Sequence, residues 1–130
     1  MTDLMTIRDM CIAFNVTPRT LRFYEQKELL FPVREGTRRL FTRRDRARLK
    51  LILRGKRFGF SLEDIRQLLA MHDRDGTNEA QLIRTTEIAR GRLAAMERQR
   101  ADLDAAIAEL KDELAWGEEM LRTFHRAAAE

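Results

Sequence analysis

The sequence predicts a mainly α-helical protein, a winged helix-turn-helix head followed by one long helix. Three observations carry that expectation. Residues that cap helices recur just ahead of each amphipathic stretch in the first half. An arginine-rich segment around Gly36 separates two of those stretches and has the turn chemistry of a hairpin. From Asn78 onward, apolar residues repeat in alternating steps of four and three, with no effective helix breaker for about 40 residues.

Taken in order, Thr6 with Asp9 is the pattern of a capping box and opens a helix over 7–14, with Met10 and Phe14 turned inward. Thr17 caps a second helix with Pro18 at its first position, where a missing N–H costs nothing. Only Asn15 and Val16 lie between the two, which is helix-turn-helix spacing. The second helix sends Leu21 and Leu29 to the core, leaves Arg19, Arg22 and Tyr24 on other faces, and ends at Pro32. Val33 to Phe41 then reads as a small hairpin, or wing, that turns at Gly36 and carries Arg34, Arg38 and Arg39.

Thr42 with Asp45 starts a third helix, with Ala47, Leu49, Leu51, Ile52 and Leu53 inward and Arg44, Arg48 and Lys50 in solvent. Gly55 and Gly59 flank Lys56, Arg57 and Phe58, predicting a second basic turn. Ser61 with Asp64 caps a fourth helix over 62–71 that carries Ile65, Leu68 and Leu69. His72 to Thr77 is polar, contains Gly76 and reads as a hinge.

Asn78 with Gln81 is one more capping pattern, and the long helix follows it. Its seam runs Leu82, Thr86, Ala89, Leu93, Met96, Arg100, Leu103, Ile107, Leu110, Leu114, Gly117, Leu121, and nine of these twelve positions are apolar. A helix of about 60 Å cannot bury such a seam against so small a head, so it needs a partner, most simply a second copy. The apolar seam positions, Leu82, Ala89, Leu93, Met96, Leu103, Ile107, Leu110, Leu114 and Leu121, are therefore the candidate dimerisation residues. Arg100 lies mid-seam with Glu97 and Asp104 a turn away, an arrangement compatible with antiparallel pairing that does not require it. A break is expected near Trp116-Gly117, with the helix resuming from Glu118 to Ala129. The expected organisation is thus a winged helix-turn-helix domain with hinge over 1–76, a coiled-coil dimerisation helix over 77–122 and a tail over 123–130.

Net charge is +4, unevenly spread: residues 1–76 hold 17 basic and 10 acidic side chains, residues 77–130 hold 8 and 11. Arg34 to Arg57 alone carries 11 basic against 2 acidic. Such one-sided charge points to a polyanion as the head's partner. The single cysteine, Cys11, excludes a disulfide framework and reads as a small buried hydrophobe. No apolar run approaches the roughly 20 residues of a membrane span, and Met1 to Met5 lacks the basic and apolar regions of a secretory leader, so a cytoplasmic protein away from membranes is expected. No Ser/His/Asp or Cys/His set, phosphate-cradling glycine loop or metal-ligand cluster is visible, and His72 and His125 stand alone. Neither catalysis, nor a cofactor, nor a metal is therefore expected.

The stretch from Met5 to Leu69 resembles the MerR family of bacterial transcription regulators. Its motifs are Thr17-Pro18-Arg19-Thr20-Leu21-Arg22-Phe23-Tyr24-Glu25, then Leu29-Leu30 with Pro32, then Arg39-Leu40-Phe41, then Gly59-Phe60-Ser61-Leu62-Glu63-Asp64-Ile65. The resemblance implies that the second helix enters the major groove of double-stranded DNA while wings grip the backbone on either side. Carried onto these positions, Arg19 and Arg22 face the groove and Tyr24 meets a phosphate. Arg38 and Arg39 belong to the first wing, Lys56 and Arg57 to the second, and Thr17, Thr20 and Arg34 are further contacts. The alternative for Arg22 or Arg39 is a surface pair with Glu25 or Glu35.

Two departures matter. Gly36-Thr37-Arg38-Arg39 stands where many members have Asn-Gly-Tyr-Arg, a shorter wing, and the paired cysteines of the metal sensors do not follow the long helix. The resemblance further implies a palindromic operator inside a promoter, bent and untwisted by a dimer, with RNA polymerase as a further partner. Trp116, Met120 and Phe124 are the candidate residues for a small non-metal effector, beside the plainer alternative that Trp116 and Phe124 anchor the tail on a partner. Two other functions remain open at this stage: an architectural DNA-bending protein without effector, and a coiled-coil adaptor whose basic head binds an acidic protein.

Overall fold

The structure, a computed structural model, describes residues 3–73 and 79–130. The chain divides into two units, residues 1–88 and 89–130. The first holds β1 (Met5–Thr6), α1 (Ile7–Phe14), α2 (Pro18–Gln26), β2 (Val33–Glu35), β3 (Arg38–Phe41), α3 (Arg43–Phe58) and α4 (Leu62–Asp73), and α5 (Glu79–Ala129) begins in it. No helix among the described residues is long and apolar enough to cross a membrane.

The caps form where the sequence places them. The Thr6 hydroxyl accepts the Asp9 N–H at 3.1 Å and the Asp9 carboxylate accepts the Thr6 N–H at 3.2 Å, a reciprocal box that opens α1. Asn15 turns left-handed at φ 54° and closes that helix. The Thr17 hydroxyl accepts the Thr20 N–H at 3.1 Å, with Pro18 leading α2. The end of α2 departs from expectation: it stops at Gln26, six positions before Pro32. Glu28, a non-glycine residue at φ 59°, reverses the chain, and the Leu29 N–H reaches back to the Tyr24 carbonyl at 2.9 Å. Leu29 and Leu30 thereby plug the core from a loop rather than from a helix.

The three strands form an antiparallel sheet in the order β1-β3-β2. Gly36 supplies the positive φ of 63° at the hairpin tip. Strand β1, which shares Thr6 with the cap of α1, pairs Met5 with Phe41 and Thr6 with Leu40. It ties the wing's inner strand to the start of the head.

Helix α3 corrects two expectations. Ala47 is exposed and Arg48, expected in solvent, is buried. The Arg48 Nε–H donates to the Leu29 carbonyl at 2.8 Å and its guanidinium lies 5.2 Å from the Phe31 ring centroid. Buried Asp45 accepts from the Thr42 N–H at 3.1 Å and from the Phe31 N–H at 2.9 Å, so it caps α3 and, with Arg48, fastens the loop over 29–31 to it. The predicted second basic turn is instead the last turn of α3: the helix runs through Gly55 to Phe58 and closes on left-handed Gly59 at φ 82°. Gly55 is a packing position, because a Cβ there would sit 2.9 Å from Ile65 Cγ1 of α4. The Ser61 hydroxyl accepts the Asp64 N–H at 3.1 Å and starts α4. Of the expected hinge, His72 and Asp73 are helical while residues 74–77 lie outside the described residues, as does the capping Asn78.

Met10, Leu21, Tyr24, Leu29, Leu30, Phe41, Leu49, Ile52, Ile65 and Leu69 form one continuous core, with Phe14, Leu51 and Leu53 packed at its edge. Each such side chain contributes roughly 1.5–3 kcal/mol by leaving water.

The second unit, residues 89–130, is helical to Ala129. The expected break at Trp116-Gly117 does not occur: helical hydrogen bonding continues through Gly117 and the Glu130 N–H still reaches the Arg126 carbonyl. None of the described residues of α5 is buried.

Candidate nucleic-acid interface

The local sequence of α2 fixes which side chains it presents. With Leu21 and Tyr24 taking the inward face, Arg19 and Arg22 fall on the exposed one. Arg22 then meets the wing: it lines a shallow depression with Thr37, Arg38 and Arg39 of the hairpin and Thr6 and Ile7 at the start of α1. Arginines from two elements thus line one concave surface, which suits an anion. Thr17 and Thr20 sit at the N-terminus of α2, their hydroxyls 2.9 Å apart.

Behind this surface lies a carboxylate. Glu25, in the last turn of α2, accepts from Arg39 Nε at 2.6 Å through one oxygen and from Arg34 Nη2 at 3.1 Å through the other. The pairing that the sequence left open for Arg39 is therefore present, Arg34 joins it, and the partner is Glu25 rather than Glu35. Arg22 makes no ion pair with Glu25 among the described residues. Glu25 was missed as a site residue, although a glutamate ending the second helix just ahead of a hairpin with arginines on both strands was a signal for it.

Tyr24 is placed differently from expectation. It is 2% exposed, and its buried hydroxyl has no hydrogen-bond partner among the described residues. Its ring belongs to the core, since the turn at Glu28 packs Leu29 and Leu30 beside it. Lys56 and Arg57 are exposed at the C-terminal turn of α3, where cations also complement the helix dipole, and no residue of α3 lines the depression around Arg22. Arg43 and Arg46, near the start of α3, pair with Asp3. Hydrogen bonding from Arg43, with its charge and that of Arg46, holds the Asp3 carboxyl below the usual carboxylate range.

On α5 the seam positions, Leu93, Leu103, Leu110 and Leu114 among them, are exposed. Trp116, Met120 and Phe124 recur at steps of four, close to one helical face, and are also exposed. Beside them Glu119 pairs with Arg122 at 2.8 Å and with Arg126 at 3.4 Å. Among the described residues no group of three or more His, Cys, Asp or Glu is placed to hold a metal ion.

Residues 5–72 match the family of MerR HTH regulatory proteins and residues 46–112 match the MerR DNA-binding region. The mercuric resistance operon regulatory protein of Pseudomonas fluorescens is 31% identical over 111 residues, which are 82% of this chain and 74% of that protein. The HTH-type transcriptional regulator ZntR of Escherichia coli K12 is 48% identical over 58 residues, 43% of this chain and 41% of ZntR, so less than half of that relative is spanned. The crystal structure of a MerR-family transcriptional regulator from Bacillus cereus is similar with a TM-score of 0.59 at 32% identity, over 78% of this chain and 75% of that one. With the family's sequence models covering both the head and the first part of α5, and a likeness that extends to a solved member, this chain belongs to the MerR family of helix-turn-helix regulatory proteins.

Proposed function

We propose that the protein is a DNA-binding transcriptional regulator that acts as a homodimer on a palindromic promoter operator and distorts it. The observation that carries this reading is the convergence of Arg22 from α2 with Arg38 and Arg39 from the wing on one exposed concave surface. Arg19 and Arg22 read guanine edges in the major groove, and the wing, with Lys56 and Arg57 farther along the head, takes phosphates. Bending a site costs only several kcal/mol, which the added wing contacts offset. The dimer rests on the exposed apolar seam of α5, which a second copy covers. RNA polymerase is the partner that reads the distorted promoter.

A random duplex library offered to the purified protein tests this. An inverted repeat of roughly 20 base pairs is the expected product, and Arg22→Ala lowers affinity for it roughly tenfold or more. Enrichment of nothing beyond generic duplex contradicts the sequence-specific reading and favours an architectural protein. A small non-metal effector is assigned to Trp116, Met120 and Phe124. Trp116 is the single tryptophan, so its emission reports occupancy directly. No change in that emission or in operator affinity across a panel of small metabolites counts against an effector there.

A further inference from the structure

We propose that Glu25 is a specificity-determining positioning residue: its carboxylate locks the wing to the end of α2 and withholds Arg34 and Arg39 from indiscriminate phosphate binding. This rests on the DNA-binding function proposed above and concerns how that function discriminates.

Three observations lead to it. Arg34 and Arg39 are direct partners across the β2–β3 ladder, where like charges facing each other weaken a strand pair. Strand β2 is only three residues long and exposed throughout, so the outer edge of the wing has little packing of its own. One carboxylate oxygen of Glu25 goes to each of the two guanidinium groups, at 3.1 Å and 2.6 Å, and the Glu25 side chain is only 20% exposed. The Arg39 arm, with Arg39 23% exposed, is screened less by salt than an ordinary surface pair, while the Arg34 side chain is 53% exposed and its arm is the weaker one.

The consequence follows from where Glu25 sits. It lies one helical turn after Arg22 on α2, and it grips Arg39, which lines the same depression as Arg22 and Arg38. One side chain therefore sets the spacing between the helix that reads bases and the hairpin that grips the backbone. Base contacts and phosphate contacts are made together only at a fixed spacing. Generic duplex binding needs only cations, and Glu25 occupies two of them and cancels one of their two positive charges. Specificity is the ratio of the two affinities, and Glu25 acts on both in the favourable direction.

The test measures affinity of the full chain for the library-enriched duplex and for a shuffled duplex of equal length, across a salt series. Wild type is compared with Glu25→Gln, which keeps the size and removes the charge. The expected result is an affinity for the enriched duplex lowered on the order of tenfold. Affinity for the shuffled duplex stays level or rises, and its salt dependence steepens by about one phosphate contact or more. Equal loss on both duplexes with an unchanged salt slope, or no change on either, overturns the inference while leaving the DNA-binding function in place. A wild type that does not prefer the enriched duplex overturns both together. Arg39→Lys keeps the charge but loses the Nε–H that reaches Glu25, so it lowers the same ratio, and it carries the test should Glu25→Gln not fold.

Discussion

The head and the distal part of the long helix treat apolar surface in opposite ways. In the head, Leu21, Phe41, Leu49 and Ile52 are fully buried by elements of the same chain, down to the polar atoms of Arg48 and Asp45 that seal the loop beneath them. Over 89–130 the leucines are as regular in sequence but remain open, Leu103 being 61% exposed and Leu110 63%. Periodicity alone therefore says that a face will be buried and not by what. The head's pattern is completed within one protomer, and the apolar positions of α5 stay exposed, to be covered by a second copy on the function proposed above.

The largest expected effect separates the two regions outright. Leu103→Glu with Leu110→Glu places four carboxylates in the seam of a dimer and raises its dissociation constant at least about a hundredfold by sedimentation equilibrium. The head's own unfolding transition stays where it was. An unchanged dissociation constant removes this seam from the interface. Next in size, Ile52→Ala lowers the stability of the head by about 2–5 kcal/mol in denaturant titration and leaves dimer dissociation unchanged. A loss below about 1 kcal/mol means that the core is not closed around this residue.

Two helical glycines sharpen the contrast further. Gly55→Ala drives a Cβ to within 2.9 Å of Ile65 Cγ1, and that crowding exceeds the gain in helix propensity, for a net loss of about 1 kcal/mol. Gly91→Ala meets nothing within 4 Å and stabilises its helix by about 1 kcal/mol. Thermal unfolding shifts of the same sign at both sites erase the distinction. The smallest effect is electrostatic. Hydrogen bonding from Arg122, then its charge and the bond from Arg126, lowers the Glu119 carboxyl from its usual 4.5. A lowered carboxylate stabilises the folded form above that usual value and stops doing so as pH falls through its folded value. The helicity difference between wild type and Glu119→Gln is therefore expected at neutral pH and vanishes in acid, and a difference independent of pH contradicts the pairing.

What was legible in the sequence was local or periodic. Thr6 with Asp9, Thr17 before Pro18 and Thr42 with Asp45 name their own helices, because a cap is satisfied within three residues of itself. The hairpin at Gly36 and the long helix α5 follow from turn chemistry and heptad period in the same way. What escaped is decided by residues distant in sequence. Arg48 rather than Ala47 is buried because the Leu29 carbonyl, brought over by the turn at Glu28, needs a donor there. Gly55 reads as a turn until α4 is seen to press on it. Tyr24 joins the core, and Glu25 becomes a clamp, only once the wing folds back on α2. The helix break at Trp116-Gly117 was over-read from one glycine, whose cost of about 1 kcal/mol is too small to stop a helix of 51 residues.

Whether the basic face of the head reads DNA only as one half of a pair is decided by counting protomers on the library-enriched duplex by sedimentation velocity. Two protomers are expected per duplex, bound cooperatively, and none held specifically by the Leu103→Glu, Leu110→Glu variant. A single wild-type protomer bound at full affinity, or specific binding that survives in the monomeric variant, would contradict it.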